Sequence, residues 1–143
     1  MILGVDPSAE NCGIVCVSDK KKLVFSCTLN IDFFADNLRD NKLIKEAKIT
    51  KIVVETPLEH GFASNRKTVA AYNQILLELA RDIPDVPVHL LLPGMWKPFA
   101  TAQGWLTAKW GREQGVKDRH QLDALAMVFY FMEVEAYRER KEK

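Results

Sequence analysis

The stretch ILGVDPSAENCGIVCVSDKKKLVFSCT, residues 2–28, decides the fold. Its apolar, β-branched runs at residues 2–6, 12–18 and 22–28 are short. Pro7 and Ser8 close the first, and the charged turn Asp19-Lys20-Lys21 separates the second from the third. Three consecutive short strands with tight connections predict an antiparallel meander. From about Asp32 to Ala47, Phe33, Phe34, Leu38, Leu43, Ile44 and Ala47 recur at helical spacing, which predicts a helix. KIVVET, residues 51–56, is the most strand-like segment and ends on Glu55 ahead of Pro57. A loop of Gly, Ser and Asn follows. A helix is then predicted from about Arg66 to Arg81 on the apolar set Val69, Ala70, Ile75, Leu76, Leu79 and Ala80.

VPVHLLL, residues 86–92, gives a fifth strand between Pro84 and Pro93. Residues 94–118 are glycine-rich and basic, with a short helix at about Met95–Ala100. A last helix starts near Arg119 and passes into a charged tail at about 137–143. The order β-β-β-α-β-α-β-α predicts an α/β chain: a mixed five-stranded sheet, three antiparallel strands then parallel additions, with helices on both faces. That architecture is similar to the ribonuclease-H-like one.

A chain of 143 residues fits one domain around one core, here residues 1–143. Apolar residues make up 48%, which excludes a disordered chain. LDALAMVFYFM, from Leu122, contains an acid and stops far short of a membrane span. Asp6 ends an apolar opening of only a few residues, so no signal-peptide pattern is present. The expectation is a soluble cytoplasmic protein with no membrane contact. Cys12, Cys16 and Cys27 form no CxxC or Cys/His pattern and read as reduced, buried thiols. A net charge of +1 argues against nonspecific coating of nucleic acid. It leaves room for an enzyme whose site carboxylates cancel local basic patches.

Four residues form an acidic constellation. Asp6 ends the first strand, Glu55 lies near the end of the fourth, and His120 and Asp123 open the last helix three residues apart. That spacing puts the last two on one helix face, with Cβ atoms roughly 5–6 Å apart. If the first and fourth strands are neighbours, both of their carboxylates emerge at the end of the sheet where ligand sites form. Carboxylate oxygens suit Mg²⁺ or Mn²⁺, and two such ions about 3.5–4 Å apart activate water and stabilise a phosphodiester's leaving oxygen. Each residue also has an ordinary reading. Asp6 before Pro-Ser fits a turn former, Asp123 favours the helix dipole, and His120 fits a surface helix start. Glu55 in an apolar strand is costly to bury unless paired or metal-bound. The case rests on the four together.

ILGVDPSAENCGIVCV resembles the opening of RuvC-like Holliday-junction resolvases. KIVVETP looks like the strand that carries the family's Glu, and HQLDALAMVFYF resembles its closing helix with the D-A-L-A signature. The resemblance implies that Asp6, Glu55, His120 and Asp123 are metal ligands of a two-metal centre for Mg²⁺ or Mn²⁺, with His120 in place of an Asp. GMWKPFATAQGWLTAK resembles the family's basic stretch, which carries lysines needed for DNA binding or catalysis. Lys97 and Lys109 fall on it, with Arg112, Lys117 and Arg119 nearby, and Lys109 is the favoured catalytic lysine. Lysines there grip phosphates or stabilise charge in the transition state; singly, Arg112 and Lys117 also read as a solvated basic loop. In TPLEHGFASNRK the resemblance makes Phe62 the aromatic at the strand-exchange point, where stacking on an unpaired base is worth about 1–3 kcal/mol. Phe62 equally fits a hydrophobic staple onto the next helix. Arg66 and Lys67 fit phosphate contacts or an exposed first helical turn.

The resemblance thus implies a structure-selective endodeoxyribonuclease that nicks four-way DNA junctions in pairs, as a homodimer with two sites about a twofold axis. Three rivals share parts of the pattern. A ribonuclease-H-type enzyme cutting RNA–DNA hybrids has the same metal chemistry. An actin-like phosphate-binding ATPase or kinase has a similar GVDPSAENCG loop but needs a second loop and a longer chain. A non-catalytic DNA-binding protein on the same fold is expected to lack an acid, and none is missing.

Overall fold

A computed structural model of the chain describes residues 1–8, 10–57 and 66–142. Five strands, β1 (Ile2–Asp6), β2 (Asn11–Val17), β3 (Leu23–Asn30), β4 (Lys51–Glu55) and β5 (Val88–Leu91), form one sheet in the order β3-β2-β1-β4-β5. The first three pair antiparallel, as the meander predicts, and β4 and β5 add parallel to β1. The condition attached to Asp6 and Glu55 is met: β1 and β4 are neighbours. Their register pairs Val5 with Val54 and leaves the two acids next in line at the carboxyl end.

Alternation along the strands sends side chains to two separate cores. Leu3, Val5, Ile14, Ile52 and Val54 pack with Phe34, Leu38, Ile44, Ile75 and Leu79 on one face. The helices there are α1 (Phe34–Asp40), α2 (Lys42–Glu46) and α3 (Arg66–Asp82). Ile2, Val15, Val17, Val53 and Leu91 face the other way, onto α4 (Pro93–Gln103) and α6 (Arg119–Glu142). Gly4 belongs to this second face, since a Cβ there would lie 2.3 Å from Val128 on α6. Asp6 and Glu55 follow by parity.

Several boundaries differ from the sequence expectation. The helix predicted over 32–47 is a 3-10 turn, Ile31–Phe33, and two short helices. Asn41 interrupts it because its side chain accepts from the N–H groups of Leu43 and Ile44, at 2.9 and 3.2 Å, and so starts a new helix. The fifth strand is shorter than residues 86–92. Pro87 has no N–H to give, and only its carbonyl joins the sheet, accepting from Ile52 at 3.0 Å. The basic segment holds two helices, not one. α4 runs to Gly104, whose φ of 78° ends it, and α5 (Ala108–Gln114) is capped by the Thr107 hydroxyl and ends at Gly115, φ 94°. The residues expected as a charged tail continue α6 as far as Glu142. Among the described residues no helix is long and apolar enough to cross a membrane.

Candidate active site

The start of α6 is fixed to the sheet before any acid is considered. Asp118 caps the helix, its Oδ1 accepting from the Gln121 N–H at 3.0 Å. Its Oδ2 accepts from the Thr28 hydroxyl on β3 at 2.6 Å, and Gln121 Nε2 donates to the same hydroxyl at 3.2 Å. Gly13, opposite Thr28 in the sheet, has no side chain because α6 lies against it: a Cβ would come within 2.2 Å of the His120 carbonyl oxygen. Glycine thus sets the closest approach of helix to sheet. Trp105, Trp110 and Phe129 pack ring against ring and hold α5 and the preceding turn onto α6.

This docking brings Asp123 over the strand ends. Asp6 is buried, and its acidity is pushed well below normal, so its pKa lies far above the usual carboxylate value. Burial is the main cause, and the charges of Glu55 and Asp123 add to it. Asp6 and Glu55 share a hydrogen bond that favours the proton on Asp6. Burial also raises Glu55, opposed by the Lys97 ammonium and by Trp96, whose indole Nε1 donates to Glu55 Oε2 at 2.7 Å. Asp123 is raised by burial as well, with Arg119 the largest opposing charge and Lys97 and His120 following. Arg119 Nε lies 3.1 Å from Asp123 Oδ1. The contact is an ion pair without good hydrogen-bond direction, and that buried oxygen accepts no well-formed hydrogen bond.

Of the four proposed ligands, the structure therefore draws three carboxylates into one electrostatic group, with half-buried His120 beside Asp123. They are not closed into a shell. Among the described residues no three His, Cys, Asp or Glu side chains are gathered to hold a metal ion. The chemistry of the set nonetheless fits a hard dication. Burial makes all three carboxyl groups resist ionisation, neighbouring carboxylates add to this at Asp6 and Glu55, and one buried Asp123 oxygen lacks a donor; a cation relieves each of these.

The basic residues divide. Lys97, on α4, acts on all three carboxylates, and its ammonium lies 5.5 Å from the centroid of the Trp96 ring. Lys109, favoured from the sequence, is exposed on α5 and is not among the charges that act most on the acids. Arg112, Lys117 and Arg119 line a cavity of about 320 Å³ between α5 and α6, together with apolar Gly111, Val116 and Leu122. Arg66 and Lys67 are exposed on the first turn of α3. Phe62 falls outside the described residues. The sequence reading passed over Trp96, Asp118 and the two packing glycines. Only Asp118 had a local signal, a capping Asp followed three residues later by Gln121.

A mixed sheet with this strand order, helices on both faces and acids at its carboxyl end defines a ribonuclease-H-like α/β fold. Solved structures of RuvC from Thermus thermophilus share it. The complex with a Holliday junction substrate matches with a TM-score of 0.60 and 18% identity over 90% of each chain. A second RuvC structure matches at 0.58 and 17%, over 90% of this chain and 91% of that one. The resemblance to RuvC-like resolvases read from the sequence holds at the level of fold. No protein-family model matches the chain, and no curated protein matches it in sequence.

Proposed function

We propose that the chain is a metal-dependent endonuclease that resolves four-way DNA junctions. One observation carries this reading: Asp6, Glu55 and Asp123 meet on one face of a sheet shared with RuvC, which has been solved on a Holliday junction. Asp6, Glu55, Asp123 and His120 would hold Mg²⁺ or Mn²⁺. A bound pair of such ions supplies an activated water and stabilises the leaving oxygen. Trp96 fixes one Glu55 oxygen, and Glu55 also shares a hydrogen bond with Asp6. Lys97 keeps the carboxylates nearer their ionised form and offers a cation to the scissile phosphate. Lys109, Arg112, Lys117, Arg66 and Lys67 are assigned to flanking phosphates, contacts that position DNA without reading its sequence. Phe62 is assigned to stacking at the branch point, and two copies of the chain to the paired nicks, since a four-way junction presents two equivalent scissile bonds.

The test is a synthetic four-way junction incubated with Mg²⁺ or Mn²⁺, beside an RNA–DNA hybrid duplex. Paired nicks in the junction, lost in Asp6→Asn with junction binding retained, support the proposal. Cutting of the hybrid in preference to the junction moves the assignment to a ribonuclease-H-type enzyme, and undiminished cutting by Asp6→Asn removes the site.

A further inference from the structure

Arg119 stands between the two halves of the site. Its Nε pairs with Asp123 Oδ1 at 3.1 Å, while its Nη1 reaches 3.3 Å to the Leu106 carbonyl. The same side chain lines the cavity between α5 and α6 with Arg112 and Lys117, three cations beside the single carboxylate of Asp118. Its own side chain is 62% exposed, while that of Asp123 is only 15% exposed. The guanidinium is open enough to reach a second partner, but its departure is costly unless another cation replaces it, because the carboxylate side of the pair is buried. The carboxylate it leaves behind is buried and has no other donor to that oxygen.

We propose that Arg119 is a substrate-responsive clasp that keeps one Asp123 oxygen from a cation until a DNA phosphate takes the guanidinium. The inference rests on the metal reading of the carboxylates. A phosphate diester in the cavity would face a lining that includes Arg112, Lys117 and Arg119. Arginine forms paired, charge-assisted hydrogen bonds to phosphate, so the guanidinium has a better partner there than one poorly directed carboxylate oxygen. Asp123 is then free for a cation. Because coupling between two binding sites is reciprocal, the metal must also tighten the hold on DNA.

Mn²⁺ binding to the protein without DNA, followed by calorimetry, tests the clasp directly. Arg119→Gln is expected to bind Mn²⁺ more tightly than wild type by about fivefold or more, the lower end of ordinary coupling. Arg119→Lys keeps the charge without the fork and should fall between the two. Arg112→Gln removes the same charge from the same cavity but has no contact with Asp123, and should change the affinity less than about twofold, as for a screened surface charge. Junction affinity in wild type should rise more from EDTA to Ca²⁺ than it does in Arg119→Gln. Equal tightening by the two Gln variants reduces the effect to net charge and overturns the clasp, as does unchanged or weaker binding by Arg119→Gln. Failure of every form, including wild type, to bind Mn²⁺ at millimolar concentration overturns the metal reading, and the clasp with it.

Discussion

On the α3 side of the sheet, β1 and β4 present Leu3, Val5, Ile52 and Val54, all apolar and wholly buried. On the α6 side the same two strands present Gly4, Asp6, Val53 and Glu55. One face is built for cohesion alone. The other gives up side-chain volume at Gly4 so that α6 can approach, and it carries one buried and one half-buried acid that resist ionisation. The comparison separates residues that hold the chain folded from residues whose burial works against folding.

The separation can be attacked by mutation. Leu79→Ala empties a fully buried position on the α3 face and should cost about 2–5 kcal/mol. Chemical denaturation measures the loss, and the cleavage rate of the folded fraction should be unchanged. Gly13→Ala should cost about 3 kcal/mol, since the new methyl meets helix backbone and not a side chain that can turn aside. Unlike Leu79→Ala, it should also reduce cleavage by the folded fraction, because α6 carries His120 and Asp123. Trp96→Phe removes the donor to Glu55 and should cost about 1–2 kcal/mol. Without that donor Glu55 holds its proton more strongly, so the acid limb of the cleavage–pH profile should move to higher pH. A profile that stays in place assigns Trp96 to packing alone.

The α3 face was the more legible of the two. β-branched runs and helical spacing locate β1–β4 and α3 because burial selects apolar residues at a fixed period. The same rule fails where a local side chain overrides it. Asn41 splits a helix that the apolar pattern runs through, and α5 carries a Gly111 and a glycine stop that read as loop. On the α6 face the four expected ligands were visible as residue types at strand and helix ends, but their surroundings were not. Trp96 is 41 positions from Glu55 and Thr28 is 93 from Gln121. Contacts at that range leave no periodic trace. Lys97 and Lys109 look alike in sequence, and only the path of α4 past the strand ends sets Lys97 beside the acids.

If the α6 face is arranged for a cation, its acids should be a burden when none is present. A carboxyl group whose pKa is raised by folding stabilises the protein fully below the unfolded value, near 3.8 for Asp6. That contribution is lost as pH rises through the raised value. At pH 7 wild type therefore bears the penalty, and Asp6→Asn escapes it. The decisive measurement is the unfolding temperature of both proteins at pH 7, first in EDTA and then in excess Mn²⁺. In EDTA, Asp6→Asn should melt higher than wild type. Mn²⁺ should raise wild type and leave the variant nearly unmoved, because only a protein that binds the ion is stabilised by it. A variant that melts lower in EDTA, or that gains as much from Mn²⁺ as wild type does, would contradict the account.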